Sequence, residues 1–233
     1  MGVINILANL TDVVIWICAP IIGTAFGLIA RGGSWKKRQQ LSSTVSTSQI
    51  QRTPVRSGLS VTTRDQGAPV GSFISQARAE LIVLGTSLVF LTAEKPRIKA
   101  LIERGVTATF LLLDPKYCVN VVVPMGWSGL EEGVKLSIKN LCELYRELKR
   151  EYQERLKIYL YNRYPVNNMI FVDPQAVDPE ASKISFGAYL FGSEVSQRPV
   201  IFGTRAQAPE FYDKCFADCS KVLHEPSTHP YKC

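Results

Sequence analysis

The sequence predicts an α/β protein: an N-terminal transmembrane helix, then one α/β domain with a mixed sheet flanked by helices. Three observations carry this. Residues Val13 to Ala30 (VVIWICAPIIGTAFGLIA) contain no ionisable side chain apart from a thiol. From about Pro69 onward, continuous apolar runs of strand length alternate with apolar residues spaced by threes and fours. Between these regions lies a Ser- and Thr-rich stretch with few large apolar residues and a helix-breaking Pro54. The chain therefore divides into a membrane helix with a short outside N-terminus (1–31), a linker (32–67) and a cytosolic binding domain (68–233).

At about 1.5 Å per residue, Val13 to Ala30 nearly cross a hydrocarbon core. A cleaved signal peptide carries its positive charge ahead of the apolar run, whereas Arg31, Lys36, Lys37 and Arg38 all follow it. The positive-inside rule then makes the C-terminal side cytoplasmic and gives a single-pass protein of the inner (plasma) membrane. The opening MGVINI has Ile6 where myristoylation requires Ser or Thr, so no lipid anchor is indicated. Ala19, Gly23 and Gly27 recur every four residues, which reads either as a stripe along which a second helix can approach closely, giving a homo-oligomer, or as the ordinary frequency of Gly in membrane helices. Pro20 removes one backbone donor and is a candidate kink. Asp12 caps the helix if it begins at Val13, and lies deeper, facing a bundle interior or water path, if it begins near Val3.

Lys and Arg number 27 against 20 Asp and Glu, a net charge of +7 that biases the surface toward phosphate-rich partners: nucleic acid, nucleotide or anionic lipid headgroups. The domain is long enough to bury a core without metal or disulfide support, and no cofactor is implied. The cysteines at 18, 118, 142, 215, 219 and 233 match neither zinc-site spacing nor a compact disulfide framework, so reduced thiols are expected. Cys215 and Cys219 lie one helical turn apart and read as two small core residues or as a metal or redox pair.

Within the domain the elements follow in order. Leu59, Val61 and Thr63 alternate with polar residues as in a short joining strand. Phe73, Ile74 and Ala77 mark a first helix, and Leu81 to Leu84 (LIVL) a buried strand. A helix from about Leu88 to Arg104 stops at Gly105, and the strand Thr107 to Leu113 runs into Asp114 and Pro115. From Glu131 to Leu156 the residues Val134, Ile138, Leu141, Tyr145, Leu148, Tyr152 and Leu156 form one stripe of a long amphipathic helix. Strands are expected at Ile158 to Tyr161, Met169 to Val172, Ile184 to Phe191 and Val200 to Phe202, then a helix from Pro209 to Val222.

Ligands of open α/β sheets gather at the carboxyl ends of strands. This singles out Gly85, Thr86 and Ser87, Asp114 and Lys116, and Arg163, Asn167 and Asn168, which offer amides, hydroxyls and cations to a phosphate. Thr86 and Ser87 are also ordinary caps for the following helix. Arg198 and Arg205 flank the last strand, within reach of a phosphate backbone or as solvated surface charges. Tyr159, Tyr161 and Tyr164 could stack on bases if exposed, or pack in the sheet.

The stretch ELIVLGTSLVFLTAEKPRIKALIERGVTATFLLLDP, with the later NNMIFVDP and PEFYDKCFADCSKVL, resembles a phospholipase D-like domain across most of residues 69–224. Active members of that family carry H-x-K-x-x-x-x-D where VNNMIFVD stands, the His being a covalent nucleophile and the Lys a phosphate ligand. Here Val166 replaces the His, Asn168 replaces the Lys and only Asp173 is kept. Valine cannot attack phosphorus, and His224 and His229 lie in the tail without a Lys two residues on. The resemblance thus implies a phosphate-binding architecture without catalysis, Asp173 orienting a neighbour or capping a turn.

Joined to a membrane helix, such a domain is similar to the membrane effectors of bacterial antiphage signalling systems, of the Hailong type. That likeness implies a sensor-effector that binds a nucleotide or single-stranded oligonucleotide, oligomerises and controls a membrane pore, with a nucleotidyltransferase as the enzyme that makes the ligand. The rival expectations are a membrane-tethered phosphodiesterase, either phospholipase or nuclease, and an inert anchor or scaffold.

Overall fold

The computed structural model describes residues 59–63, 70–121, 129–164, 167–189 and 198–233. The expected membrane helix with Ala19, Gly23 and Gly27, most of the linker, and Val166 lie outside the described residues. Among the described residues no helix is long and apolar enough to cross a membrane.

The apolar runs form one open sheet of eight strands in the order β1-β7-β6-β5-β2-β3-β4-β8. In chain order these are β1 (Ser60–Thr63), β2 (Glu80–Leu84), β3 (Thr107–Leu113), β4 (Leu156–Tyr161), β5 (Asn167–Val172), β6 (Lys183–Ala188), β7 (Pro199–Thr204) and β8 (His229–Pro230). The helices are α1 (Val70–Ile74), α2 (Val89–Thr92), α3 (Lys95–Glu103), α4 (Leu130–Glu147), α5 (Arg150–Gln153) and α6 (Pro209–His224). β2, β3 and β4 run parallel, and every other neighbouring pair is antiparallel.

β2 and β3 are buried on both faces, which requires helices on both sides. Successive right-handed crossovers place α3 and α4 on one face. On the other face α6 packs its rings on the sheet: Phe171 lies 5.6 Å from Tyr212 and 5.5 Å from Phe216, edge to face, and Phe186 lies 5.5 Å from Phe211.

The helix expected over Leu88 to Arg104 is two. Leu88 takes a left-handed conformation (φ 56°), α2 lasts one turn, and Pro96, which has no N–H, stands in the first turn of α3. The long helix expected to reach Leu156 ends at Glu147, where Leu148 turns extended (ψ 141°). The Gln153 side chain donates to the freed carbonyls of Tyr145 (3.1 Å) and Leu148 (3.3 Å). Leu156 keeps the helical spacing but opens β4, paired with Ala108. Both Leu148 and Leu156 are buried, and a stripe of apolar residues does not record whether its last members face the core from a helix or from a strand.

The expectation of reduced thiols is overturned for two cysteines: Cys142 on α4 and Cys233 are joined by a disulfide across 91 residues. After α6 the tail returns along the edge of β4, with β8 antiparallel to it, and this return brings Cys233 to Cys142. No local spacing records such a meeting. Cys118, Cys215 and Cys219 are free and buried, the last two as core residues of α6.

Asp173 closes the turn after β5 in a left-handed conformation (φ 47°). Its carboxylate accepts the backbone N–H groups of Arg78 (3.0 and 3.1 Å), Ala79 (2.8 Å) and Glu80 (2.9 Å). It is therefore a backbone cap, fastening the end of β5 to the start of β2.

Two outcomes follow from this packing. Asp173→Ala strands three amide donors and is expected to lower stability by about 3 kcal/mol in urea unfolding; a loss under about 0.5 kcal/mol would show that water replaces the carboxylate. Burial pushes the Cys118 thiol up to about 11, helped by Glu131 and Asp114, and the Cys215 and Cys219 thiols to about 12. A raised value keeps the neutral thiol at every pH below it, so iodoacetamide at pH 8 should leave all three unmodified in the native chain and label them after denaturation, read by peptide mass mapping.

Candidate functional site

Because β5 runs antiparallel to β2, the amino end of β5 stands beside the carboxyl end of β2, Leu84 opposite Met169. Asn168 is thereby brought next to the turn that leaves β2. A Cβ on Gly85 would stand 3.4 Å from the Asn168 Cβ and 2.5 Å from a Leu88 methyl, so the turn needs glycine for its close approach. The Gly85 carbonyl accepts the Tyr161 hydroxyl at 3.1 Å. Thr86 donates its N–H to the Tyr189 hydroxyl at 3.1 Å, and its own hydroxyl lies 3.2 Å from the same oxygen. Ser87 is half-buried against α4, where a Cβ on Gly133 would approach its Cβ to 3.2 Å.

Asn168 pairs across the sheet with Gly187, and its side chain occupies the space that a Cβ on Gly187 would take. Asn168 is 8% exposed. Arg198 is equally buried, its guanidinium carbon 5.6 Å from the Tyr189 ring centroid. Burial draws the Arg198 guanidinium down from its ordinary range while the neighbouring Tyr189 raises it. Thr86, Ser87, Asn168 and Arg198 thus share one pole of the sheet, floored by glycines 85 and 187. Asn167, the first residue of β5, lies beside them.

The remaining candidates are less central. Asp114 caps the turn Pro115–Tyr117 through the Lys116 N–H at 2.8 Å, and the Lys116 side chain is exposed at the same pole. Arg163 follows β4 there and lies 3.5 Å from Glu225. Arg205 is at the opposite pole: its N–H donates to Ser182 just before β6, and its guanidinium pairs with Asp213 at 2.8 Å. The structure does not bring it to the others, because β7 runs from one pole to the other between Arg198 and Arg205. Tyr161 is buried and hydrogen-bonded, a packing residue, while Tyr164 is exposed.

Tyr189 and Gly187 were not singled out from the sequence. The only cue was a strand pattern, Ile184 to Phe191, that gave no register. His229 lies on the far flank, its Nε2 3.9 Å from an Asp114 carboxylate oxygen, and His224 ends α6 with its Nδ1 2.7 Å from the Ser220 carbonyl. Four strand spacings separate β8 from β5, about 19 Å at roughly 4.8 Å each. A cleft of about 730 Å³ opens at the opposite pole beside Arg78, Arg104, Asp178, Glu180 and Lys183. Its exposed charges of both signs belong to a separate surface from the Asn168 crevice.

No protein-family model and no curated protein sequence matches this chain. Among solved structures it is similar to TrmBL2, an archaeal chromatin protein with a novel mode of DNA binding, at 11% identity and TM-score 0.40, covering 92% of this chain and 62% of that one. It is also similar to phosphatidylserine synthase of Haemophilus influenzae Rd KW20, at 15% identity and TM-score 0.45, covering 75% of this chain and 40% of that one. The chain spans less than two thirds of either protein, and both TM-scores fall below the level at which a shared fold follows. What stands is a mixed α/β domain with an open sheet flanked by helices.

The contact between Asn168 and Gly187 is directly testable. Gly187→Ala should cost about 1–3 kcal/mol by overpacking. Adding Asn168→Ala removes the clash, so the double variant should recover part of that loss in thermal unfolding. Strict additivity of the two changes would show that they do not share this space.

Proposed function

We propose that this chain is a membrane-anchored, non-enzymatic sensor-effector whose α/β domain, of phospholipase D-like type, binds a nucleotide or single-stranded oligonucleotide at the Asn168 crevice. The observation that carries the reading is Asn168 itself, a polar side chain only 8% exposed, beside Gly85 at the carboxyl end of β2. A phosphate oxygen can accept from its Nδ2 at a place where little water competes. Thr86 and Ser87 add hydroxyl donors, Arg198 adds a desolvated cation, and Lys116 and Arg163 extend positive charge along the rim.

The same residues support binding over cleavage. An amide is no nucleophile, Val166 has no lone pair, and His229 lies four strands from β5. Membrane attachment rests on the apolar run at Val13 to Ala30 and assembly on the Ala19, Gly23 and Gly27 stripe. A ligand held by the domain changes a pore only if open and closed assemblies bind it with different affinity. In antiphage defence a nucleotidyltransferase would supply that ligand on the cytoplasmic side.

The test is to purify the full-length chain from bacterial membranes in detergent, extract what co-purifies, and identify nucleotides or oligonucleotides by mass spectrometry. Bound material is expected in the parent and reduced at least about tenfold in Asn168→Asp, which sets a carboxylate against the phosphate. A ligand-free protein that hydrolyses bis(p-nitrophenyl) phosphate, with activity unchanged by Asn168→Asp, would overturn the proposal in favour of a phosphodiesterase.

A further inference from the structure

We propose that the C-terminal tail is a redox-controlled strap that restricts the ligand-binding pole while the Cys142–Cys233 disulfide holds it, an inference that rests on the ligand reading above. α6 ends at His224 where β3 and β4 also end, and the tail then crosses that pole before descending the edge of β4. At the crossing Glu225 sits 3.5 Å from Arg163, and His229 sits 3.9 Å from Asp114, next to Lys116. The strap thus sets a carboxylate against one of the cations offered to a phosphate.

What holds the strap is mainly the covalent bond. Beyond the α6 terminus its non-covalent ties to the rest of the domain are a two-residue strand pairing, the Tyr231 N–H to the Ile158 carbonyl at 2.8 Å, the Thr228 hydroxyl (2.6 Å) and Glu225 N–H (3.4 Å) to the Val222 carbonyl, the His229–Asp114 contact at 3.9 Å, and the Arg163–Glu225 pair. That ion pair is solvent-exposed and therefore screened. Ordering residues 225–233, most of them exposed, costs conformational entropy that so few contacts do not offset. Closing the 91-residue separation through Cys142 keeps the end of the tail near β4 and α4.

Cys233 is exposed and open to a dithiol reductant. The reductant's thiolate attacks one sulfur and the S–S bond breaks. A second attack releases two thiols, at Cys142 and Cys233, and leaves the reductant as its own disulfide, so two electrons and two protons pass to the protein. The freed tail withdraws Glu225 from Arg163, and the rim gains a cation for the ligand. In the reducing cytoplasm the strap is open; under oxidation it closes.

The experiment uses full-length chain in detergent, oxidised or treated with dithiothreitol, and a fluorescein-labelled eight-nucleotide oligothymidine as probe. Hydrogen exchange reads the strap and fluorescence anisotropy reads the site. Reduction should speed exchange across 225–233 and along β4 and tighten the probe's Kd about fivefold. Cys233→Ser should match the reduced protein with or without dithiothreitol, and Cys215→Ser should keep the full response. Unchanged exchange on reduction would overturn the strap, and so would faster exchange with an unchanged Kd. If exchange quickens and neither form binds the probe, the ligand reading falls and its regulation with it, while the release of the tail stands as a separate result.

Discussion

The seam between β2 and β5 is the constraint on which the rest of this structure depends. It is the place where the parallel half of the sheet meets the antiparallel half, and it is fastened at one end by the Asp173 carboxylate on three amides. At its other end the same register lays Asn168 beside Gly85 and across from Gly187. A slip of one residue would turn Asn168 to the opposite face and replace it with an apolar neighbour. Asp173 therefore serves geometry, and through geometry it sets where Asn168 points.

Charge is organised in two ways. Most described ion pairs, such as Lys135 with Glu131 and Lys95 with Glu147, are exposed, and contribute little to stability. Buried polar side chains among the described residues include the Asp173 cap with Ser182, the pole where Thr86, Asn168 and Arg198 are each less than a tenth exposed, and Thr92, Thr109, Ser137 and Ser185 within the packed elements. Desolvated donors bind anions more strongly than solvated ones because water does not compete for them. This contrast distinguishes that pole from the openly solvated cleft at the opposite one.

The tail ties the two flanks of the domain to one another. It leaves α6 on one face of the sheet, skirts the pole and ends on α4 of the other face, so any movement of its crossing changes the neighbourhood of Arg163 and Asp114. A strap fastened mainly by one covalent bond has two states, set by the thiol chemistry of its surroundings. The core beneath it, with Cys118, Cys215 and Cys219 buried, does not share that sensitivity.

By itself the sequence determined the elements that depend on local pattern. The continuous apolar runs of β2 and β3, the Asp-Pro stop after β3 and the Pro-initiated α6 are all legible along the chain. It also determined the apolar run and the small-residue stripe that predict the membrane anchor. Only the tertiary structure decided where helical spacing ends and strand pairing begins at Leu156, that Arg198 and Arg205 stand at opposite poles, that Tyr189 holds Thr86, and that Cys142 meets Cys233. The physical reason is that periodicity reports which side of a segment is apolar, whereas pairing, register and covalent closure depend on partners up to about a hundred residues away, chosen by how the whole sheet assembles.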